Sequence, residues 1–276
     1  HLLAALDRRK EANTLLEELA GAEDDRIKSE ARLLHAFLLL EHGEFDAASA
    51  LLPEMTAPDR KNRQAYQHYQ HRRYLRARLA LVRGQPAEAA SRFRELSKSP
   101  EQLGSAVHHG TLVGLADALQ ASGQSEEGFE VLISFLDKHP RSQLLDGALA
   151  RLLHWAQPNE TLKNRLEEKL LMWSRAPRLA EFNQDTATSE TAEPAQPQTF
   201  VPDAEAQRVG YALYYYSLFL TGKNGVDSNA LAELLLERLR SEHPDHPLAP
   251  ASFLETARVQ NATDRREEAI ATLTRL

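Results

Sequence analysis

The chain repeats a short phrase in which a glycine-containing turn precedes a helix-forming segment with a small residue. The phrase reads GEFDAA from Gly43, GQPAEA from Gly84 and GQSEEG from Gly123, and a degenerate copy, DRREEA, begins at Asp264. A period of about 40 residues is typical of stacked helical hairpins, in which no unit buries its apolar face alone. The period therefore predicts an all-α repeat architecture.

Each position of the phrase has a physical reason for its residue type. A glycine just past a helix adopts the left-handed conformation easily, because it has no Cβ. Five positions on, a small residue lets two helices approach, and four further on a large apolar residue fills the space to the next hairpin. The small residues are Ala48, Ala89 and Gly128, and the large ones are Leu52, Phe93 and Leu132.

Composition supports helices and excludes several classes of protein. The 276 residues are rich in alanine and leucine, which favour helices, and only 7% are aromatic. The absence of cysteine excludes disulfides and thiol chemistry. A net charge of −7 argues against general nucleic-acid binding, and apolar runs such as Ala36 to Leu40 are far too short to span a membrane.

Apolar residues recur at spacings of three and four almost throughout the chain, as in amphipathic helices. We expect Asp264 to cap the last helix. The spacing predicts helices over 7–20, 26–42, 44–55, 62–83, 87–97, 105–122, 126–139, 144–156, 159–174, 204–221, 227–243, 248–261 and 264–276.

One acidic segment interrupts this pattern. Between Glu181 and Glu205 there are six acids, several threonines and prolines, and no lysine or arginine. Such a composition buries too little apolar surface to order itself. We therefore expect an N-terminal block at 1–180, a disordered linker at 181–203 and a C-terminal block at 204–276. A second hypothesis is that the linker docks into the protein's own groove through Phe200 and Val201.

The glycine-x-aromatic-x-x-alanine phrase at Gly43 resembles the tetratricopeptide-repeat (TPR) family, and the phrase at Gly84 matches it in part. The resemblance covers most of the chain outside residues 180–203. It implies a right-handed α-solenoid of about six hairpins, whose first helices line a concave groove for a peptide or partner helix. The junctions at 139–142 and 243–249 are similar to links in bacterial cell-envelope repeat proteins, which favours a periplasmic or envelope location.

Within such a groove, partner-binding residues are expected on the first helices. The candidates beside the apolar stripe are Phe37, His71, Tyr74, Arg78, Asp117 and Gln120. Family members that bind chaperone tails carry lysine and asparagine on these helices. Because Leu33 and Phe37 stand at such positions, we expect no chaperone-tail clamp.

A basic stretch from Arg60 to Arg83 contains eight lysines and arginines and no acid. Arginine forks among aromatic rings can hold an acidic peptide, the acidic linker or, less readily, nucleic acid. The alternative interpretation is a helix that buries Leu75, Leu79 and Val82 while its arginines pair with neighbouring acids. The candidate basic patch is Arg72, Arg73 and Arg76.

The sequence offers little for catalysis or metal binding. It contains no nucleophile elbow, zinc-protease helix, phosphate loop or dinucleotide fingerprint. Three histidine pairs lack a carboxylate at convincing ligand spacing, so we expect no metal and no cofactor. The pairs are 68/71, 108/109 and 243/246. An aromatic band at Tyr211, Tyr214, Tyr215 and Phe219 is either a buried inter-hairpin face or a groove wall.

The sequence thus favours a non-catalytic scaffold for protein–protein interaction. The partner is expected to be a protein or peptide, and an acidic one would fit the basic patch. The alternative is a structural spacer or a regulatory segment of a larger envelope protein or enzyme. That alternative follows from the expectation that this chain, which opens at His1 and stops at Leu276 within a helical pattern, is a piece of a longer protein.

Overall fold

The computed structural model describes residues 9–175, 204–223 and 225–276, and within these ranges the secondary structure is helical, without strands. The predicted linker at 181–203, with Phe200 and Val201, lies outside the described residues. A short 3-10 turn, Pro100–Gln102, separates two of the helices. The helices are α1 (Arg9–Ala20), α2 (Asp25–Glu41), α3 (Phe45–Leu51), α4 (Arg63–Val82), α5 (Pro86–Ser97), α6 (Ser105–Ala121), α7 (Ser125–Lys138), α8 (Leu145–Ala156), α9 (Glu160–Ser174), α10 (Ala204–Thr221), α11 (Val226–Glu242), α12 (Ala249–Ala262) and α13 (Arg266–Leu273).

The helices fall into two compact units, His1–Phe135 and Leu136–Leu276, and the boundary lies within α7. None of the described helices is long and apolar enough to cross a membrane. Short turns join the two helices of the hairpins that contain Gly43, Gly84 and Gly123, as the glycine phrase predicts.

The glycine turns confirm the role predicted for the repeated phrase. Gly43, Gly84 and Gly123 have φ of 78°, 74° and 82°, in the left-handed region. The residue after each glycine donates its N–H to the carbonyl five positions earlier, at 2.9 Å in all three turns. This is the six-to-one bond of a Schellman cap. The glycines therefore end α2, α4 and α6 in the same way and direct the chain into the second helix of each hairpin.

The degenerate fourth turn keeps this geometry without glycine. Asp264 has φ of 60°, and the next residue, Arg265, donates its N–H to the carbonyl of Gln260 at 2.8 Å. The expectation that Asp264 caps the last helix is therefore wrong. The helix begins at Arg266 after N-cap Arg265, and Asp264 takes the glycine's place because aspartate tolerates the left-handed region better than most residues.

In the first unit, small and large residues of the phrase are buried as predicted. Ala48 and Ala89 have no exposed surface, and Leu52 is 3% exposed. Leu52 packs with Leu75 and Leu79 of the following hairpin, so the hydrophobic core continues from one hairpin to the next. The first helices α2, α4 and α6 lie beside one another, since α4 contacts both of the others.

The second unit repeats this arrangement. Its first helices, α8, α10 and α12, contact their neighbours in the same order, and α9 packs against α10. Lys223 after α10 binds Glu167 of α9, with Nζ 2.7 Å from Oε1. The buried small residue of the last hairpin is Ala269, which is 7% exposed.

Two predicted details of the first unit are wrong. The helix expected over 44–55 ends at Leu51, and the chain is irregular from Pro53 to Asp59. Pro53 has no N–H to continue the helix, and it restricts the residue before it. Val82, expected within the buried stripe, is 44% exposed because it occupies the last position of α4.

Candidate partner-binding surfaces

Three of the predicted groove residues meet where α2 and α4 lie side by side. The guanidinium of Arg78 lies over the ring of Phe37, 5.4 Å from its centroid. Its Nη2 also donates to Oε1 of Glu41 at 2.5 Å, and the Tyr74 hydroxyl is hydrogen-bonded to Arg78. All three predicted residues are half-buried. We call Phe37, Glu41, Tyr74 and Arg78 the α2–α4 cluster.

Tyr74 also connects this cluster to the next hairpin. Its ring lies 6.1 Å from that of Phe93 in α5. Its hydroxyl is close to α6, since a Cβ added at Gly110 would lie 2.5 Å from the oxygen. Burial raises the pKa of Tyr74, the largest effect on the group, and the nearby charge of Arg78 opposes that shift. The phenol is therefore neutral and can both donate and accept hydrogen bonds.

The other three predicted groove residues make contacts of their own, outside the Phe37–Glu41–Tyr74–Arg78 contacts. His71 is half-buried and hydrogen-bonded to the backbone of Leu103, and burial lowers its pKa. Asp117 and Gln120 are half-buried near the C-terminal end of α6. Within the described residues, Oε1 of Gln120 is buried without a hydrogen-bond partner.

Three of the seven arginines of the basic stretch pair with acids of the preceding hairpin, as the alternative interpretation of that stretch expects. Arg76 donates to Glu54 at 2.7 Å, and Arg83 donates to Asp46 at 2.6 Å. Together with the Arg78–Glu41 pair, these bonds connect α4 to α2, to α3 and to the segment after α3. Leu75 and Leu79 beneath them are buried.

The three residues of the predicted basic patch do not form one surface. Arg73 donates to Oε1 of Gln70 at 3.1 Å and lies over the Tyr69 ring. Arg76 is engaged with Glu54. Arg72 is half-buried and, among the described residues, has neither a hydrogen bond nor an ion pair. Burial lowers the pKa of Arg72, and the charges of Arg32 and Arg76 lower it further.

The histidine pairs serve different local contacts. His68 lies 3.7 Å from Glu30, whereas His71 faces Leu103. His108 and His109 have ring centroids 6.1 Å apart. Among the described residues there is no group of three or more histidines and acids that could hold a metal ion.

The aromatic band of α10 is mostly a buried helix face. Tyr211, Tyr215 and Phe219 are between 5% and 8% exposed. The Tyr215 hydroxyl donates to Oδ1 of Asp146 in α8 at 2.8 Å, and burial raises its pKa. Tyr214 is half-buried and hydrogen-bonded to Glu255 in α12, and burial raises its pKa to about 12. The band therefore joins three first helices of the second unit.

A cavity of about 590 Å³ lies between α11, α12 and α13. Its polar floor is already satisfied by the protein itself. Arg240 donates to the Oγ of Ser252 at 3.2 Å and to Oγ1 of Thr256 at 2.8 Å, and its guanidinium lies over the Phe253 ring. Thr272 donates to Oε1 of Gln260 at 2.8 Å. These bonds engage Arg240, Thr256, Gln260 and Thr272 of the lining within the protein itself.

Three residues beside these arginines were not predicted from the sequence: Arg32, whose charge acts on Arg72, Glu41 and Glu54. A local sequence signal exists for Arg32, since it directly precedes the apolar residues Leu33 and Leu34. Glu41 and Glu54 lie 37 and 22 residues from their arginine partners. Pairs at such separations are set by the offset between hairpins, which apolar periodicity does not specify.

No family model matches this chain, and neither a curated protein nor a solved structure matches it. The TPR resemblance therefore remains a prediction from the repeated phrase.

Proposed function

We propose that this chain is a non-catalytic scaffold for protein–protein interaction, with TPR-like hairpins arranged as a right-handed α-solenoid. Its first helices form the wall that receives a peptide or a partner helix. The recurrent left-handed turns at Gly43, Gly84 and Gly123 support hairpins of one kind. The contacts among first helices within each unit support a continuous wall on that side.

The observation that carries the proposal is the α2–α4 cluster. It places an aromatic ring, a phenol, an arginine and a carboxylate on adjacent first helices, and each remains partly accessible. Aromatic residues and arginine contribute most to protein interfaces, because they combine large contact area with directional hydrogen bonds. Arg78, whose side chain is 27% exposed, can donate to a partner while it stays stacked on Phe37.

We expect affinity capture with the whole chain to retain a specific protein, and Arg78→Glu to reduce its recovery about tenfold. The reason is that the substitution removes the donor from the first-helix wall. Arg92→Glu on the second helix α5 is the matched control, since Arg92 is also ion-paired and the change in charge is identical. Recovery is measured by quantitative mass spectrometry of the retained proteins.

Thermal melts establish that both variants are folded, and Arg78→Gln provides a milder change if the glutamate repels Glu41. Equal loss of the partner with Arg78→Glu and Arg92→Glu would contradict a first-helix wall. Failure of the wild-type chain to retain a specific protein would instead favour the structural spacer.

A further inference from the structure

The short helix α3 ends beside Arg76, which belongs to a group of three arginines on the first unit. α3 has seven residues, whereas α5 and α7 have 12 and 14. Arg76 lies at its end, where Nη1 donates to the carbonyl of Leu52, the C-cap residue, at 3.4 Å. A cation at a helix C-terminus is favourable, because the last carbonyls are unpaired and carry partial negative charge. Arg76 therefore contacts the C-terminal end of α3 as well as Glu54.

Arg72 stands one turn before Arg76 on α4, and Arg32 approaches from α2. The charges of Arg32 and Arg76 both act on Arg72, which is also partly desolvated. Among the described residues, neither Arg32 nor Arg72 has a hydrogen bond or an ion pair. The acid of α2 in this region, Glu30, is engaged with Arg26 at 3.3 Å and lies 3.7 Å from His68.

One carboxylate of the protein already lies beside these arginines. Glu54, on the irregular segment after α3, binds Arg76 at 2.7 Å while its side chain is 83% exposed. Because the Glu54 side chain is largely exposed and must be held in place for this contact, an incoming carboxylate can replace it at low cost. Glu54 thus shows which ligand chemistry the arginines accept, and it neutralises one charge of three.

We propose that Arg32, Arg72 and Arg76 form an anion site that binds a carboxylate-rich peptide segment of the partner. The inference rests on the proposed function, whose partner it characterises chemically. Three guanidinium groups from two helices match successive acidic side chains better than one isolated charge, because each offers a planar fork of donors. Binding also relieves the mutual repulsion of the unpaired arginines. The site excludes Arg73, Arg78 and Arg83, which are engaged elsewhere.

The test uses the whole chain and a labelled peptide rich in glutamate, with the matching glutamine peptide as the uncharged probe. We expect Arg72→Glu to weaken binding of the glutamate peptide about tenfold by fluorescence anisotropy, and Arg32→Glu to do the same. Glu54→Gln should strengthen binding about threefold, because it releases Arg76. The wild-type chain and every variant should bind the glutamine peptide far more weakly than the wild-type chain binds the glutamate peptide.

Arg63→Glu is the matched control on the same helix. Arg63 is exposed and lies nine residues before Arg72, about 14 Å along the helix axis and beyond the screening distance of physiological salt. We expect it to change the affinity less than twofold. Equal effects of Arg63→Glu and Arg72→Glu would overturn the site, as would weaker binding by Glu54→Gln or no binding of the glutamate peptide.

These outcomes are independent of the capture experiment. If the chain retains a partner through Arg78 but ignores the glutamate peptide, the anion site is wrong and the scaffold stands. If the peptide binds through Arg32 and Arg72 but no protein is retained, the scaffold is wrong.

Discussion

At the scale of single residues, two different side chains accept a backbone N–H at the junctions before α8 and α12. Ser142 and His246 each stand two residues after a proline, and both are buried. The Oγ of Ser142 accepts the N–H of Leu144 at 3.2 Å, and Nδ1 of His246 accepts the N–H of Leu248 at 3.2 Å. Each side chain thereby satisfies a backbone donor at the start of the next helix.

The other ring nitrogen of His246 fixes its tautomer. Nε2 lies 3.2 Å from the carbonyl of Gln207 and donates to it, so Nδ1 must be the acceptor. Protonation would place a hydrogen on Nδ1, against the N–H of Leu248. Burial lowers the pKa of His246 to about 4, with a smaller opposing effect from the hydrogen bond to Gln207. The ring also requires Gly210, where a Cβ would lie 2.4 Å from it.

His246 should therefore make stability depend on pH. The unfolded chain binds a proton at His246 near pH 6.5, whereas the folded chain binds it only near pH 4. As the pH decreases from 6.5 to about 4, the unfolded state binds this proton before the folded state does. The free energy of unfolding therefore falls over that range. We expect a loss on the order of 2 kcal/mol from this group, after allowance for screening.

Urea unfolding at several pH values, compared between wild type and His246→Ser, measures this contribution. Serine retains an acceptor for Leu248, as at Ser142, and does not titrate. His243 and Glu242 remain in both proteins, so their titration cancels in the comparison. The same pH dependence in both proteins between 6.5 and 4 would show that His246 is not responsible.

At the scale of helices, the fold depends on close approach between a large and a small residue. Phe93 of α5 has no exposed surface and lies against Gly114 of α6. A Cβ at Gly114 would be 2.5 Å from Cζ of Phe93, closer than real contacts allow. The packing of these two helices therefore depends on the pair and not on either residue alone.

We expect Gly114→Ala to destabilise the chain by about 1–3 kcal/mol, because it overfills a closed core. In a Phe93→Leu background the same substitution should be neutral or slightly stabilising, since alanine favours helices over glycine by about 1 kcal/mol. Chemical denaturation of the double-mutant cycle gives the coupling energy. Additive effects of the two substitutions would argue against this contact.

For the molecule as a whole, the features predicted from the sequence are those that depend on residues close together in the chain. The helical class, the left-handed glycines and the burial of Ala48, Ala89 and Gly128 follow from periodicity and turn chemistry, and the structure confirms them. These features are local, because a turn or a helix face is decided within a few residues.

What the sequence did not predict depends on contacts between hairpins. The pairs of Arg76 with Glu54 and Arg78 with Glu41 depend on how one hairpin is offset against the next. The separation of Arg72 from Arg73 has a different origin: adjacent helix positions point in different directions, so helix geometry alone was enough to predict it. Arg32 joins the anion site only because α2 and α4 lie side by side.

The most direct test of the central claim is hydrogen–deuterium exchange of the whole chain with and without the retained partner. If the first helices form the binding wall, protection should increase on α2, α4 and α6, with the largest change around Tyr74. Protection confined to the second helices α3, α5 and α7, or unchanged exchange throughout the chain, would contradict it.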